Sequence, residues 1–450
     1  MPVDSGFLLL KNSVRIVTFD NYLWVIEGIS GFRHIALPLE AALLALCDGT
    51  MTSASLIQIT ASLLTNSSTI DEAQDAVNVV LTKFAPTLEQ GDGTVHSMRY
   101  NFSDYLYPVD PIERHPERLP SPVEMLFTLT NKCNLRCIYC FNNSGAARPN
   151  ELTTSEWLDL IAQADDIGVQ KIHLSGGEPF AHRGAIQILR ELKNRGMLIE
   201  MATNGTRSYP DEVFHMLSGE QVDISLDTWD KDLYAQLTGN RSLDRVLANI
   251  QAFIQAGSSV SIKSCITSLN YTDIHKLYQV LADIGVADVG LAAYTRSISG
   301  RGGNELCLSP DMIDTVRCEF ECIKQVEGTP LTFGIPNPCW NTRKDIISCD
   351  ALVTTMIVMP NGDVTPCELI TNTPELCFGN VRSESLMQIW TSALVDDFFY
   401  RKSHPQANTC TSCVFMESCQ TGCFAEKLYQ GVTLYGPDPR CHVVTPSEVS

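Results

Sequence analysis

The chain has 450 residues, 44% hydrophobic and 19% charged, an ordinary globular composition with length for roughly two to four domains. A formal net charge of −20 and a pI near 4.8 argue against a primary nucleic-acid binder and offer no basic attraction to an anionic membrane. No apolar run is long enough to span a bilayer, and MPVDSGFLLLKNSVRIV lacks the basic start of a signal peptide, so the expected compartment is the cytoplasm.

Residues 1–105 open with VRIVTF and YLWVIEG, alternating runs that predict paired strands. LPLEAALLALCDG then predicts a helix ending at Gly49, and TSASLIQITASLL and TIDEAQDAVNVVLTKF predict two more. Strands followed by three short helices fit a small winged-helix-like domain. Residues 106–123, with the proline-rich YPVDPIERHPERLPSPVEM, read as an extended connector. Over 124–330 strands and helices alternate. The strand candidates are MLFTLT, KIHLSGG, LIEMATNG, VDISLDT, VSIKSCIT and VGLAAY. Thr153 and Glu156 stand at capping-box spacing, and Trp157, Ile161, Ala164 and Ile167 give the following helix one apolar face. Six such units predict an α/β fold with a parallel sheet, open or barrel-shaped, whose chemistry lies at the strand C-termini. From 331 to 450 the chain turns irregular and rich in Cys, Pro and Gly, as a segment held together by what its cysteines bind.

Seventeen cysteines in a chain with no mark of export read as metal ligands rather than disulfides. Cys133, Cys137 and Cys140 form C-x3-C-x2-C directly after the first parallel strand. Three thiolates leave a coordination position open, where a structural zinc takes four ligands. With Tyr139 before the third cysteine, the pattern resembles the signature of the radical S-adenosylmethionine (AdoMet) enzymes. The rest of that family's pattern follows in order. Ser175-Gly176-Gly177-Glu178-Pro179 resembles GGEP, Thr203-Asn204-Gly205 a TNG strand end, and Ser225-Leu226-Asp227 an SLD strand end.

The resemblance implies a partial (β/α)6 TIM-like barrel and a [4Fe–4S] cluster whose fourth iron takes the amino group and carboxylate of AdoMet. One-electron cleavage of the sulfonium then yields a 5′-deoxyadenosyl radical, which takes a hydrogen atom from the substrate. It further implies that the GGEP backbone meets the AdoMet amino group with Glu178 accepting from it. Ser225 would contact the carboxylate, Asp227 would order the site, and Ile138 and Tyr139 backbone would hold the adenine.

A second field comprises Cys349, Gly362 and Cys367, then Cys410, Cys413, Cys419 and Cys423 as C-x2-C-x5-C-x3-C, then Cys441. This order resembles the SPASM extension and implies two auxiliary [4Fe–4S] clusters, three clusters in all. The distal one would use Cys410, Cys413, Cys419 and Cys441, the proximal one Cys349, Cys367 and Cys423. Cys339 is either the fourth proximal ligand or a free thiol that leaves an iron open. Glu368 resembles the acid that takes a substrate proton in sulfatase-maturing relatives; the alternative is a surface glutamate in a turn. Cys377 reads as packing, and Cys318 and Cys322, on one helical face, as buried small hydrophobes. SISGRGGNEL at 297–306 is either a substrate-side loop or an ordinary one.

The whole resembles peptide maturases of the sactipeptide and crosslinking type, with an N-terminal PqqD-like precursor-recognition domain. The implied function is oxidative modification of a ribosomally made peptide, C–S or C–C crosslinking or related backbone chemistry. The leader peptide would add as a strand beside YLWVIEG or its neighbour. A flavodoxin or ferredoxin is the implied electron donor. Two alternatives are formylglycine formation on a sulfatase and a cluster-bearing binding protein without turnover.

Overall fold

Alternation of buried and half-exposed positions organises the strands that carry the site. The computed structural model describes residues 6–11, 14–19, 22–27, 32–63, 70–96, 100, 102, 105, 121–297, 300–324, 331–333, 351–370, 373–404, 408–413, 419, 421–439 and 441. It divides into two compact units. One comprises Met1–Ser121 with Gly196–Leu198, the other Pro122–Arg195 and Ile199–Ser450.

In the first unit β1 (Phe7–Leu10) lies at the centre of one antiparallel sheet. β2 (Val14–Phe19), β3 (Tyr22–Glu27) and β4 (Phe32–Ala36) form a second as a meander. VRIVTF and YLWVIEG pair with Val14 opposite Glu27. β3 is paired on both sides, however, so YLWVIEG itself offers no edge; the edges of this sheet belong to its neighbours β2 and β4. Helix α1 (Pro38–Ala45) stops before Gly49, because β5 (Asp48–Thr52) leaves the helix to pair with β1, which β6 (Leu88–Gly91) flanks on its other side. Helices α2 (Ser53–Leu63) and α3 (Ile70–Lys83) follow the expected ranges. Val14, Ile16, Val25, Leu43, Leu44, Val77 and Phe84 form the buried core of this unit. It therefore holds two three-stranded sheets where the winged-helix-like expectation had two strands.

In the second unit β7 (Glu124–Thr128), β8 (Lys171–Ser175), β9 (Leu198–Thr203), β10 (Gln221–Ser225), β11 (Ser259–Ile266) and β12 (Asp288–Ala293) run parallel in sequence order. They form the parallel sheet that the βα alternation predicts, in the partial barrel that the resemblance implies. Two additions come from beyond the expected core. β13 (Leu331–Phe333) extends one edge beside β12; β14 (Thr355–Val358), with β15 (Val364–Thr365) folded back on it, extends the other beside β7. The cysteine-rich segment thus supplies strands to the same sheet.

Helix α4 (Thr154–Asp166) begins with the expected capping box: Glu156 N donates to Thr153 Oγ1 at 3.3 Å and Thr153 N to Glu156 Oε2 at 2.7 Å. Trp157, Leu160, Ile161 and Ala164 are buried on one face, with Trp157 against Phe127 of β7 at 5.0 Å between ring centroids. Ile167 caps the helix, half-buried. One strand face carries Met125, Phe127, Ile172, Leu174, Ile199 and Met201, all buried. The other carries Glu124, Lys171, His173, Glu200, Asp223, Lys263 and Asp288, where a fully covered parallel sheet would be apolar throughout. These charges pair across strands: Lys171–Glu200 at 3.0 Å, His173–Glu124 at 2.9 Å and His173–Glu200 at 3.1 Å. Burial works against the His173 imidazolium, but its hydrogen bonds to Glu124 and Glu200 outweigh that and lift its pKa to about 9. Among the described residues no helix is long and apolar enough to cross a membrane.

Candidate functional site

The loop after β7 is built around the Glu151 carboxylate and three guanidinium groups. Glu151 accepts from Thr130 Oγ1 (2.7 Å), Asn131 N (2.8 Å) and Arg148 N (2.7 Å), folding the loop back on its own root. Gly145 N donates to Asn131 O at 2.9 Å and Cys133 N to Gly145 O at 3.0 Å. Arg136 N and Ile138 N donate to Thr238 O and Leu237 O, each at 2.9 Å, tying the cysteines to the end of helix α5 (Lys231–Thr238). Arg136 Nη1 reaches Cys133 O at 2.9 Å, and Arg148 Nη2 reaches Asn142 Oδ1 at 2.7 Å.

The third guanidinium is Arg301, from the GRG stretch. Its N donates to Cys140 O at 3.1 Å, its Nη1 to Cys137 O at 3.3 Å and its Nη2 to Ser144 O. Ser297 Oγ adds a bond to Phe141 O at 2.8 Å. The described part of this stretch therefore clamps the cysteine loop, a role hidden from sequence because the partners lie more than 150 residues away.

The three thiols meet a donor set suited to bound sulfur. Leu135 N points at Cys133 Sγ (3.4 Å), Asn204 Nδ2 at the same sulfur (3.7 Å) and Ser144 N at Cys140 Sγ (3.4 Å). Burial pushes the Cys137 thiol up to about 12 and raises that of Cys133. Among the described residues no three His, Cys, Asp or Glu side chains are placed to hold one metal ion. Three thiols spread over one loop suit the wider body of an iron–sulfur cluster, and the donor set fits it.

The glycines of GGEP serve a close approach, but to protein. Gly176 has φ +144, and a Cβ on it would stand 2.6 Å from Thr130 O; on Gly177 it would stand 2.7 Å from Asn131 O and Lys132 O. Pro179 opens a short 3-10 turn with Glu178 at its cap. The Glu178 carboxylate, fully buried, accepts from Thr203 Oγ1 and Asn204 N, each at 2.9 Å, and from Phe180 N at 3.3 Å. Burial pushes its pKa up and these donors pull it back. Glu178 thus staples the end of β8 to the TNG end of β9, where Asn204 touches Cys133.

Ser225 stands exposed at the end of β10. Asp227, two residues on, is buried and accepts from the Tyr139 hydroxyl and from Cys265 N at 2.8 Å. Burial lifts its pKa to about 6. Cys265, given no motif role by the sequence, lies among Asp227, Tyr139 and Cys137, with its thiol pushed far up by burial. At the end of β7, Thr128 Oγ1 is buried without a protein partner.

Glu368 comes from the cysteine-rich segment, directly after Cys367, and reaches the site: Ser175 Oγ donates to its Oε2 at 3.5 Å, at the foot of GGEP. Burial raises its pKa, with Ser175 and His173 pulling back. Glu368 itself lies in a turn and is half-buried.

Farther along, Cys410, Cys419 and Cys441 act on one another electrostatically, and burial pushes the Cys419 thiol up to about 11. Cys413 N donates to Cys410 O at 3.1 Å, and Cys423 N to Asp438 Oδ2 at 2.9 Å. Cys339 and Cys349 lie outside the described residues. Cys377 bonds Gly379 O at 3.6 Å, a packing contact. Cys318 and Cys322 are exposed, which overturns their reading as buried hydrophobes: their helix (Pro310–Lys324) buries Ile313, Val316, Phe320 and Ile323 instead.

Comparisons with known proteins place two family matches in the second unit. The profile of the Radical SAM superfamily matches residues 127–284, and that of SPASM, described as an iron-sulfur cluster-binding domain, matches 349–414. The mycofactocin maturase MftC of Mycobacterium tuberculosis (strain ATCC 25618 / H37Rv) is 27% identical over 340 residues, covering 73% of this chain and 85% of that protein. The PqqA peptide cyclase of Methylocella silvestris is 24% identical over 335 residues, 73% of this chain and 89% of that protein. In structure, Streptococcus suis SuiB bound to precursor peptide SuiA superposes with a TM-score of 0.72 at 18% identity, over 97% of this chain and 100% of that one.

Proposed function

We propose that this chain, a radical SAM domain followed by a SPASM domain, is an enzyme that oxidatively modifies a ribosomally synthesised precursor peptide. The observation that carries the reading is the meeting, at the C-terminal ends of β7–β10, of the three-thiol loop, GGEP, TNG and SLD with a carboxyl delivered by the SPASM segment. When bound, AdoMet on a [4Fe–4S] cluster supplies a 5′-deoxyadenosyl radical that removes a hydrogen atom from the peptide.

Cys133, Cys137 and Cys140 would hold that cluster, with Arg136, Arg148 and Arg301 fixing the loop that presents them. Gly176, Gly177, Asn204 and Ser225 would line the AdoMet position, and Asp227 would fix Tyr139 beside it. Cys367, Cys410, Cys413, Cys419, Cys423 and Cys441, with Cys349, would hold two auxiliary clusters. Glu368 would take the proton that leaves the substrate, and its contact with Ser175 supports that role. In the first unit, the leader peptide would add as a strand to β2 or β4. A flavodoxin or ferredoxin would supply electrons.

The test is anaerobic incubation of the reconstituted chain with AdoMet, a reductant and each short peptide encoded beside its gene. Loss of two hydrogens from one peptide marks a crosslink and supports the proposal. AdoMet cleavage with no peptide altered, or formylglycine appearing on a sulfatase peptide instead, refutes the substrate assignment.

A further inference from the structure

Lys427 is a lysine with no exposed surface, on the helix Phe424–Gln430. Its Nζ donates to Thr421 Oγ1 at 2.7 Å and Leu434 O at 3.0 Å and lies 4.7 Å from the Phe424 ring centroid. Both hydrogen-bond partners are neutral oxygens. A buried ammonium that hydrogen-bonds only neutral oxygens is costly to desolvate.

What surrounds it explains it. Thr421, with φ +69, sits in the turn that links Cys419 to Cys423, and Gly422 N closes that turn on Cys419 O at 2.8 Å. Lys427 N bonds Cys423 O at 3.2 Å. The ammonium is thereby fixed to the chain between two of the cysteines expected to carry auxiliary clusters, and the charges that act on it are Asp438 first, then Cys410, Cys419 and Cys423. On the same group, the Asp438 carboxylate accepts from Cys423 N at 2.9 Å, its carbonyl oxygen accepts from Cys441 N at 2.8 Å, and the residue is 2% exposed. One positive and one negative charge are therefore built into the backbone that presents these thiols. Thiolates bound to iron carry net negative charge, which grows on reduction, so charges fixed to the backbone that presents them act on the reduction equilibrium.

We propose that Lys427 and Asp438 are an opposed pair of positioning charges that set the reduction potential of the auxiliary clusters, Lys427 raising it and Asp438 lowering it. The proposal rests on the auxiliary-cluster reading above. A raised potential makes that region a better electron acceptor, as a net two-hydrogen oxidation requires.

The experiment is redox titration of the anaerobically reconstituted full chain, followed by electron paramagnetic resonance, with iron counted in each sample. Lys427→Met is expected to make auxiliary reduction about tenfold less favourable, which for one electron is 59 mV more negative. Asp438→Asn is expected to shift it positive, and Lys427→Arg to leave it in place. The cluster on Cys133, Cys137 and Cys140 is expected not to move in any of them. Unmoved auxiliary potentials in fully loaded Lys427→Met, or shifts of the same sign in both charge variants, overturn the proposal. Should Lys427→Met fail to load iron, Asp438→Asn decides alone: a positive shift supports the pair, no shift overturns it. A wild-type chain with iron for one cluster only refutes the auxiliary-cluster reading itself, a result distinct from loaded clusters with unmoved potentials.

Discussion

Replacing Glu178 with glutamine isolates what the carboxylate does. Each of its oxygens receives a backbone N–H, Phe180 N on Oε1 at 3.3 Å and Asn204 N on Oε2 at 2.9 Å. The Thr203 hydroxyl can turn to accept; a peptide N–H cannot. Glutamine has one carbonyl oxygen and one amino group, so one backbone donor must face another donor in a site with no water access. A buried unsatisfied donor costs about 1–3 kcal/mol, and the bond left intact also loses its charge assistance, giving about 3 kcal/mol in sum. The loss falls on the strand end that carries Asn204, not on the whole barrel. Hydrogen exchange of the peptide containing Asn204, read by mass spectrometry, is the assay. At about 1.4 kcal/mol per factor of ten, exchange there is expected to quicken roughly a hundredfold, with β12 unchanged. Exchange within threefold of wild type would mean the carboxyl is held neutral, with glutamine copying it, and the staple described here would be refuted.

Arg301→Met removes two guanidinium bonds from the Cys137 and Ser144 carbonyls; at partial exposure this is worth about 2 kcal/mol and should speed iron loss to a chelator roughly 30-fold. Unchanged iron retention would show that the loop holds itself. Glu368→Gln should leave 5′-deoxyadenosine formation standing while cutting peptide modification by about 10²–10⁴; equal loss of both would place the carboxyl elsewhere in the reaction. His173 gives a pH signature. Its folded pKa, about 9, lies above the unfolded value, so its stabilisation is complete below about 6.5 and is lost as pH rises through 9. Thermal melts of wild type against His173→Gln should therefore differ most below pH 6.5 and converge above pH 9; a difference constant across that window rules out the ion-paired imidazolium.

How much of this could be read from the chain depended on whether the cause was local. The Thr153 capping box, the βα alternation and the spacing of Cys133, Cys137 and Cys140 are all written within a few residues, and each is present in the structure. Glu368 was legible as an acid beside Cys367, but its contact with Ser175 spans 193 residues and no period announces it. Thr355–Val358 escaped because four residues, three of them apolar, between cysteines look like packing until β7 supplies a partner. Cys318 and Cys322 were misplaced for the opposite reason: spacing fixes that two residues share a helix face, not which face is covered. Lys427 carries no sequence signal at all, since only burial separates it from any surface lysine.

The pairing of β14 with β7 bears on how such a protein could be taken apart or recombined. Gene truncation or shuffling at residue 330 would look like cutting a hinge between modules, yet it would strip a neighbour from the strand that launches the cysteine loop. The naked backbone of Glu124–Thr128 would then be a template for pairing with other chains, and insolubility on expression should be the first symptom. A cut that keeps residues through Thr365 would spare that edge.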